Sequence, residues 1–216
     1  MKIIQPSFEI LSSINGKEIL KNIERAGRTC YKSQDKITSD SAGKFVKTLI
    51  ASGHESVLEH EKVSVLIVCD RGVSHELVRH RIASFSQEST RYCNYSQDKF
   101  DGELTFILPF WYIGNTDWQY TTWLNIMSTI ETTYNELIRT GGHSPQQARS
   151  ILPNSLKTEI VVTANLREWR TIFKQRTTAA AHPQMREIMI PLLHSLDRKI
   201  PVVFSDIVKE NGEKLK

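Results

Sequence analysis

Residues 158–176 read TEIVVTANLREWRTIFKQR. Thr158 to Ala164 is dense in β-branched side chains, which suit the pleated surface of a strand. Asn165 is a strong helix N-cap, so Leu166 to Arg176 predicts a helix that starts where the strand stops. Further out, the alternation in Lys62-Val63-Ser64-Val65-Leu66-Ile67-Val68 predicts a half-buried strand. Residues 2–10 and Leu104 to Pro109 predict two more. Lys17 to Cys30 places Ile19, Leu20, Ile23 and Ala26 on one helical face. Ser39 or Asp40 caps a second helix through Ala51, ended by Gly53. A helix from Val73 to Arg81 then leads into a polar loop, ASFSQESTRYCNYSQDKFDGE. A long helix runs from about Thr116 to Thr140 and stops at Gly141-Gly142. Ser144-Pro145 opens another, with proline at the first position, where a missing N–H matters least. Pro183 opens the last, which runs to about Leu196. This order is neither a regular βαβ alternation nor all-helical. The expectation is an α+β fold: a single domain over residues 1–216, with a mixed or antiparallel sheet flanked by helices.

The 216 residues are 39% hydrophobic and 24% charged, close to an ordinary globular protein. No apolar run approaches the ~18 residues a membrane span needs; the longest, Val63 to Cys69, is strand-sized. The first residues, MKIIQPSFEI, lack the apolar core and cleavage site of a secretory signal, so the expected location is cytoplasmic, with no membrane partner. Cys30, Cys69 and Cys93 are odd in number and widely spaced, which excludes a Cys-x-x-Cys site and argues against a disulfide framework. The formal charge of +4 fits a phosphate-bearing small molecule as well as nucleic acid and decides nothing alone.

The glycine-rich phosphate cradles are missing: no Gly-x-Gly-x-x-Gly follows a strand, and no Gly-x4-Gly-Lys-Ser/Thr occurs. His75-Glu76-Leu77-Val78-Arg79-His80 resembles a zinc-protease helix but fails on spacing. Histidines at i and i+4 sit ~40° apart around a helix, whereas those at i and i+5 sit ~140° apart and cannot share one ion. No metal site is expected.

The most unusual stretch is Arg79-His80-Arg81-Ile-Ala-Ser-Phe-Ser-Gln87-Glu88-Ser89-Thr90-Arg91-Tyr92. Two arginines flank a histidine, and a hydroxyl-rich loop closes on a third arginine and an aromatic ring. Guanidinium forks and hydroxyls are natural ligands for phosphate oxygens; the plain alternative is a solvated basic turn. Arg-His-Arg, seven residues, then Ser-x-Arg resembles the signature of the flavin-dependent thymidylate synthases. Further blocks resemble that family in order. They are Arg25-Ala-Gly-Arg28-Thr-Cys-Tyr31, Ser52-Gly-His54-Glu55-Ser56-Val-Leu-Glu59-His60, Ala148-Arg149-Ser-Ile-Leu-Pro153 and Asn165-Leu-Arg167-Glu-Trp169, the last followed by Arg176 and Ala181-His-Pro-Gln-Met-Arg186.

The resemblance implies the α+β fold of that family, a homotetramer whose active sites draw on several subunits, and reductive methylation of dUMP to dTMP. It implies FAD as cofactor, with NADPH and methylenetetrahydrofolate as co-substrates. On the family's correspondence Arg79, His80 and Arg81 contact FAD, with Ser56, Asn165, Leu166 and Arg167 adding to its pocket. His54 and Tyr92 match positions beside the flavin, and Gln87 belongs to both ligands' surroundings. Gln87, Glu88, Ser89, Thr90 and Arg91 should hold dUMP together with Glu76, Arg79 and Arg149, with Arg91 and Arg149 the best phosphate ligands. Arg176 corresponds to the arginine facing the uracil ring and is the expected catalytic residue. Thr171 stands where relatives usually carry Asn or His, so its flavin contact is lost or passes through water. Ala180 stands where some relatives carry His, so that role does not transfer. Ser89 reads as a phosphate donor rather than a nucleophile, since a serine hydroxyl needs an adjacent base. His60 and His182 read as structural. The competing reading is a nucleic-acid module that stacks bases on Phe85, Tyr92 and Tyr95. It would call for a broader basic stripe, whereas Glu88, Asp98, Asp101 and Glu103 dilute the loop; no nucleic-acid partner is expected.

Overall fold

The computed structural model describes residues 1–211. In chain order the elements begin with β1 (Lys2–Ile4), β2 (Ser7–Ile10), α1 (Gly16–Thr29), α2 (Ser41–Ala51), β3 (Lys62–Asp70), α3 (Arg71–Leu77) and β4 (Ala83–Gln87). They continue with β5 (Thr105–Ile107), α4 (Trp118–Arg139), α5 (Pro145–Ala148), β6 (Lys157–Asn165), α6 (Leu166–Arg176), α7 (Pro183–Lys199) and α8 (Pro201–Asn211). A short 3-10 segment, Glu55–His60, separates α2 from β3. The class is α+β, as expected: four strands in the order β2-β3-β6-β4, and a separate parallel pair of β1 with β5. β3 and β6 are antiparallel. Past one end of the pair Arg71 N–H donates to the Asn154 carbonyl, and past the other Leu166 N–H donates to the Glu61 carbonyl, both at 2.9 Å.

Local chemistry explains most element starts. Asn15, Asp117 and Asn165 each accept a bond from the backbone N–H three residues on, at 3.3, 3.0 and 2.8 Å, satisfying donors that a helix leaves open. Ser144 and Gln147 form a capping box, with Pro145 in the first turn. α2 ends at Ser52, and Gly53 follows at φ +71°, a left-handed turn that residues with a Cβ adopt rarely. β3 alternates as its pattern requires, with Val63, Val65, Ile67 and Cys69 all fully buried.

Four expectations change. The first strand breaks at Gln5-Pro6, since proline has no N–H for a ladder. The helix after β3 stops at Leu77 and is capped by Val78, so Arg79 to Arg81 lie in a turn. Residues 83–87 are a strand rather than loop, alternating half-buried Ala83, Phe85 and Gln87 with exposed Ser84 and Ser86. Serine and glutamine mute the polarity contrast that reveals a strand in sequence. The helix from Pro183 is also not the last. Pro201 starts α8 instead of ending the helical region, using the helix position where proline's missing N–H goes unnoticed.

The described residues form two compact units. The first comprises Met1–Ser7, Ile67–Arg79 and Ser86–Ile160. Its core packs Leu104, Phe106, Met127, Tyr134 and Leu156, with Cys93 and Trp123 at the margin. The second comprises Phe8–Leu66, His80–Phe85 and the chain from Val161 onward. In it Trp169 and Phe173 stack at 5.5 Å, Phe204 meets Phe173 edge-on, and the Trp169 indole N–H donates to the Val63 carbonyl at 3.0 Å. Among the described residues no helix is long and apolar enough to cross a membrane.

Candidate active site

In the second unit the site is organised by α6. Arg170, at its centre, is 1% exposed. Its guanidinium donates to Glu55 Oε1 at 3.1 and 3.2 Å, to both carboxylate oxygens of Asp206, and to the Val203 carbonyl. A buried guanidinium demands such a set, because an uncompensated charge in the interior is far more costly than a paired one. The Arg170 guanidinium in turn holds the Asp206 carboxyl below its usual range, against the opposing effect of burial. Near the start of α6 Arg167 meets Glu59 at 2.6 Å. These two ties strap the Glu55–His60 segment along α6, and Ser56 and His54 are exposed. The Thr171 hydroxyl donates back to the Arg167 carbonyl at 3.2 Å. Leu166 is fully buried and donates its N–H to the Glu61 carbonyl. The Asn165 side chain caps α6.

At the C-terminal end of the same helix, Arg176 Nε–H donates to His80 Nε2 at 3.1 Å. The other ring nitrogen, Nδ1, faces Glu168 Oε1 at 3.4 Å. His80 is 6% exposed, and burial together with the neighbouring Arg176 charge pushes its pKa down to about 4. Burial also raises the Glu168 carboxyl above its usual range. Arg81, one residue past His80, is exposed.

In the first unit, Gln87 is fixed by its side-chain N–H groups, which donate to the Ser74 hydroxyl at 2.9 Å and the Thr158 hydroxyl at 3.1 Å. Ser74 lies on α3, the helix that also carries Glu76, and exposed Arg79 follows that helix. Glu88 is held on both oxygens: Tyr95 O–H donates at 2.8 Å, and Lys157 Nζ and Glu159 N–H donate at 3.0 and 3.2 Å. Beyond it the loop docks on the α5 turn, where Arg91 Nε donates to Gln146 Oε1 at 3.1 Å, three residues before exposed Arg149. Ser89 Oγ accepts from Arg91 N–H at 3.3 Å, Thr90 is buried, and exposed Tyr92 lies 5.2 Å under the Arg91 guanidinium. The residues expected to hold the nucleotide, Arg176 apart, therefore belong to the first unit, and those expected around the flavin, Arg79, Gln87 and Tyr92 apart, to the second. In the second unit, grooves of about 580 and 460 Å³ run along α1, α2 and α8 and include none of the residues expected around the flavin.

Residues 10–202 match the family model described as thymidylate synthase complementing protein. A Mycobacterium avium protein named flavin-dependent thymidylate synthase is 35% identical over 199 residues, 85% of this chain and 78% of that protein. The chain belongs to the flavin-dependent thymidylate synthase family. A Pyrococcus furiosus relative of the same name is 34% identical over 174 residues, covering 80% of this chain and 70% of its own length. The fold is shared with a UMP/dUMP methylase from Streptomyces cacaoi solved with 5-Br dUMP. The two superpose with a TM-score of 0.76 over 98% of each chain at 20% identity.

The sequence signature singled out segments of both units, but it gave no sign of the groups that orient them. Glu168 is the clearest case. It stands three residues after the Asn165 cap, where a glutamate normally reads as half of a capping box. Its carboxylate instead faces His80. Lys157 and Gln146, which help to hold the loop, carry no sequence signal, and Tyr95 reads in sequence as a stacking ring rather than a partner of Glu88. Among the described residues no group of three or more His, Cys, Asp or Glu side chains is placed to hold a metal ion.

The His80 geometry sets a pH dependence. Its folded-state pKa, about 4, lies below the ~6.5 of an unfolded histidine, so the unfolded chain takes up this proton first. The contribution is fully present above about pH 6.5 and is lost as pH falls towards about 4. NMR titration of the imidazole should show His80 neutral at pH 5.5 and titrating near 4; a midpoint near 6.5 would contradict the buried acceptor geometry.

Proposed function

We propose that this chain converts dUMP to dTMP by reductive methylation, with FAD as its cofactor. The observation that carries the reading is the docking of the Ser89–Arg91 loop on the α5 turn, in a chain of this family. It sets Arg91 beside the segment that ends in Arg149, a cationic pair suited to a nucleoside monophosphate. Glu88, held by Tyr95 and Lys157, keeps the loop in shape rather than reaching for substrate, and Gln87 is fixed in the same way. Ser89, whose oxygen already accepts from Arg91, serves as a phosphate hydrogen-bond donor.

The chemistry of the donor set fits FAD. Exposed Arg79 and Arg81 supply cationic forks for a diphosphate, and Ser56, His54 and the α6 face with Arg167 and Thr171 supply polar partners for the rest of the cofactor. Reduced flavin supplies the hydride that completes the new methyl group. Methylenetetrahydrofolate provides the carbon, and NADPH returns the reducing equivalents. Arg176 polarises a uracil carbonyl and stabilises the negative charge that develops on the ring. Neither Cys69 nor Cys93 is set up to attack that ring. Cys69 is buried, with its thiol pushed well above the usual value, and Cys93 packs against the core of the first unit. The protein acts as a homotetramer in the cytoplasm. The grooves of the second unit lie away from the flavin residues, which accords with a cofactor site completed by other subunits.

Purified protein supplied with FAD, NADPH and methylenetetrahydrofolate should release tritium from ring-labelled dUMP and form dTMP. Arg176→Ala should still bind and reduce flavin while losing ~10²-fold or more of dTMP formation; near-normal turnover would remove Arg176 from the reaction. Arg91→Ala and Arg149→Ala should each weaken dUMP binding by about 10- to 150-fold, the weight of one charge-assisted hydrogen bond, as read by calorimetry. Unchanged affinity in both would dismiss the phosphate assignment. Light scattering should give four chain masses, and a fully active monomer would refute the assembly.

A further inference from the structure

His80 lies in the turn after α3, and its ring is wedged against the inner face of α6, with one nitrogen towards each of two α6 side chains. A guanidinium offers only donors. The Nε2 atom that accepts from Arg176 Nε–H therefore carries the lone pair, and the ring proton sits on Nδ1, the atom facing Glu168 Oε1 at 3.4 Å. Nε, Cζ and the two terminal nitrogens of an arginine are coplanar, so anchoring Nε–H fixes the direction in which the fork points. A carboxylate in the same place would orient the guanidinium equally well but would offset its charge, and with it the pull on a neighbouring carbonyl. A neutral imidazole orients without offsetting.

We propose that His80 is a positioning residue for the reaction, holding Arg176 in the orientation that faces the reacting base, and that Glu168 selects the ring tautomer that allows it. The inference rests on the reading of this chain as a thymidylate synthase with Arg176 at the uracil ring. It turns His80 from a flavin contact into a residue that acts through another. A ring filling space in the core would predict otherwise, because its removal would damage folding and turnover whatever stood at position 176.

A double-mutant cycle separates the two. Relative to wild type, His80→Phe should lower kcat for dTMP formation by about 10- to 100-fold while leaving KM for dUMP within about threefold, since only orientation is lost. His80→Gln, whose amide oxygen keeps an acceptor near the Nε2 position, should recover most of that rate. In an Arg176→Ala background, His80→Phe should add less than about a twofold loss. Flavin content and melting temperature report folding; if His80→Phe does not fold, His80→Asn, too short to reach Arg176, replaces it with the same expectation. Additive losses, equal damage from Gln and Phe, or a wild-type rate without the acceptor would overturn the proposal. A wild-type protein that forms no dTMP refutes the functional reading separately. The Arg176 Nε–H resonance then judges the contact itself: protected in wild type and His80→Gln but exchanging freely in His80→Asn supports it, and equal protection in all three overturns it.

Discussion

A guanidinium as deeply buried as that of Arg170 is stable only if its donors are matched, and the second unit is arranged around that requirement. Glu55 comes from the 3-10 segment, Asp206 and the Val203 carbonyl from α8, and all converge on one α6 side chain. Bridging three segments at one charge fixes their relative register more strictly than apolar packing, which tolerates sliding. The same helix carries Arg167 to Glu59 at one end and Arg176 to His80 at the other. α6 is thus both the structural spine of this unit and the rail that carries Arg167, Arg170 and Arg176.

The two charged ends of that rail are treated differently, and the difference is chemical. Arg167 is exposed and paired with a carboxylate, an arrangement that lets it exchange partners with solvent or ligand at little cost. Arg176 is half-buried and anchored on an uncharged ring, so it keeps its full charge while giving up its freedom to turn. That combination suits the role proposed for Arg176, because transition-state stabilisation depends on a charge already in place when the reaction begins.

The first unit solves a loop problem. A segment rich in serine, threonine and glutamine buries too little apolar surface to order itself. It is held by polar side chains instead: Gln87 on the Ser74 and Thr158 hydroxyls, Glu88 on Tyr95 and Lys157, and Arg91 on Gln146. Satisfied networks of this kind rigidify, and a rigid loop has less ordering left to do on binding any ligand.

What was legible in the sequence is what local chemistry decides. The helix starts at Asn165 and Ser144 could be read because such caps satisfy donors only a few residues away, and β3 because a period of two needs no knowledge of its partner. The arginine signature, a matter of residue type and spacing, likewise marked the family to which the chain belongs. The tertiary structure alone decided whether Ala83–Gln87 would be loop or strand, since its side chains are too uniformly polar for alternation to show until β6 lies beside it. It alone decided that Glu168, three residues past the Asn165 cap, would face His80, and that both oxygens of Glu88 would be held within the fold. His80 and Arg176 stand 96 residues apart in the chain, and nothing near either announces the other. The bond between them exists because burial leaves the ring nitrogen no water to accept from, so the guanidinium that packing brings to it becomes its partner.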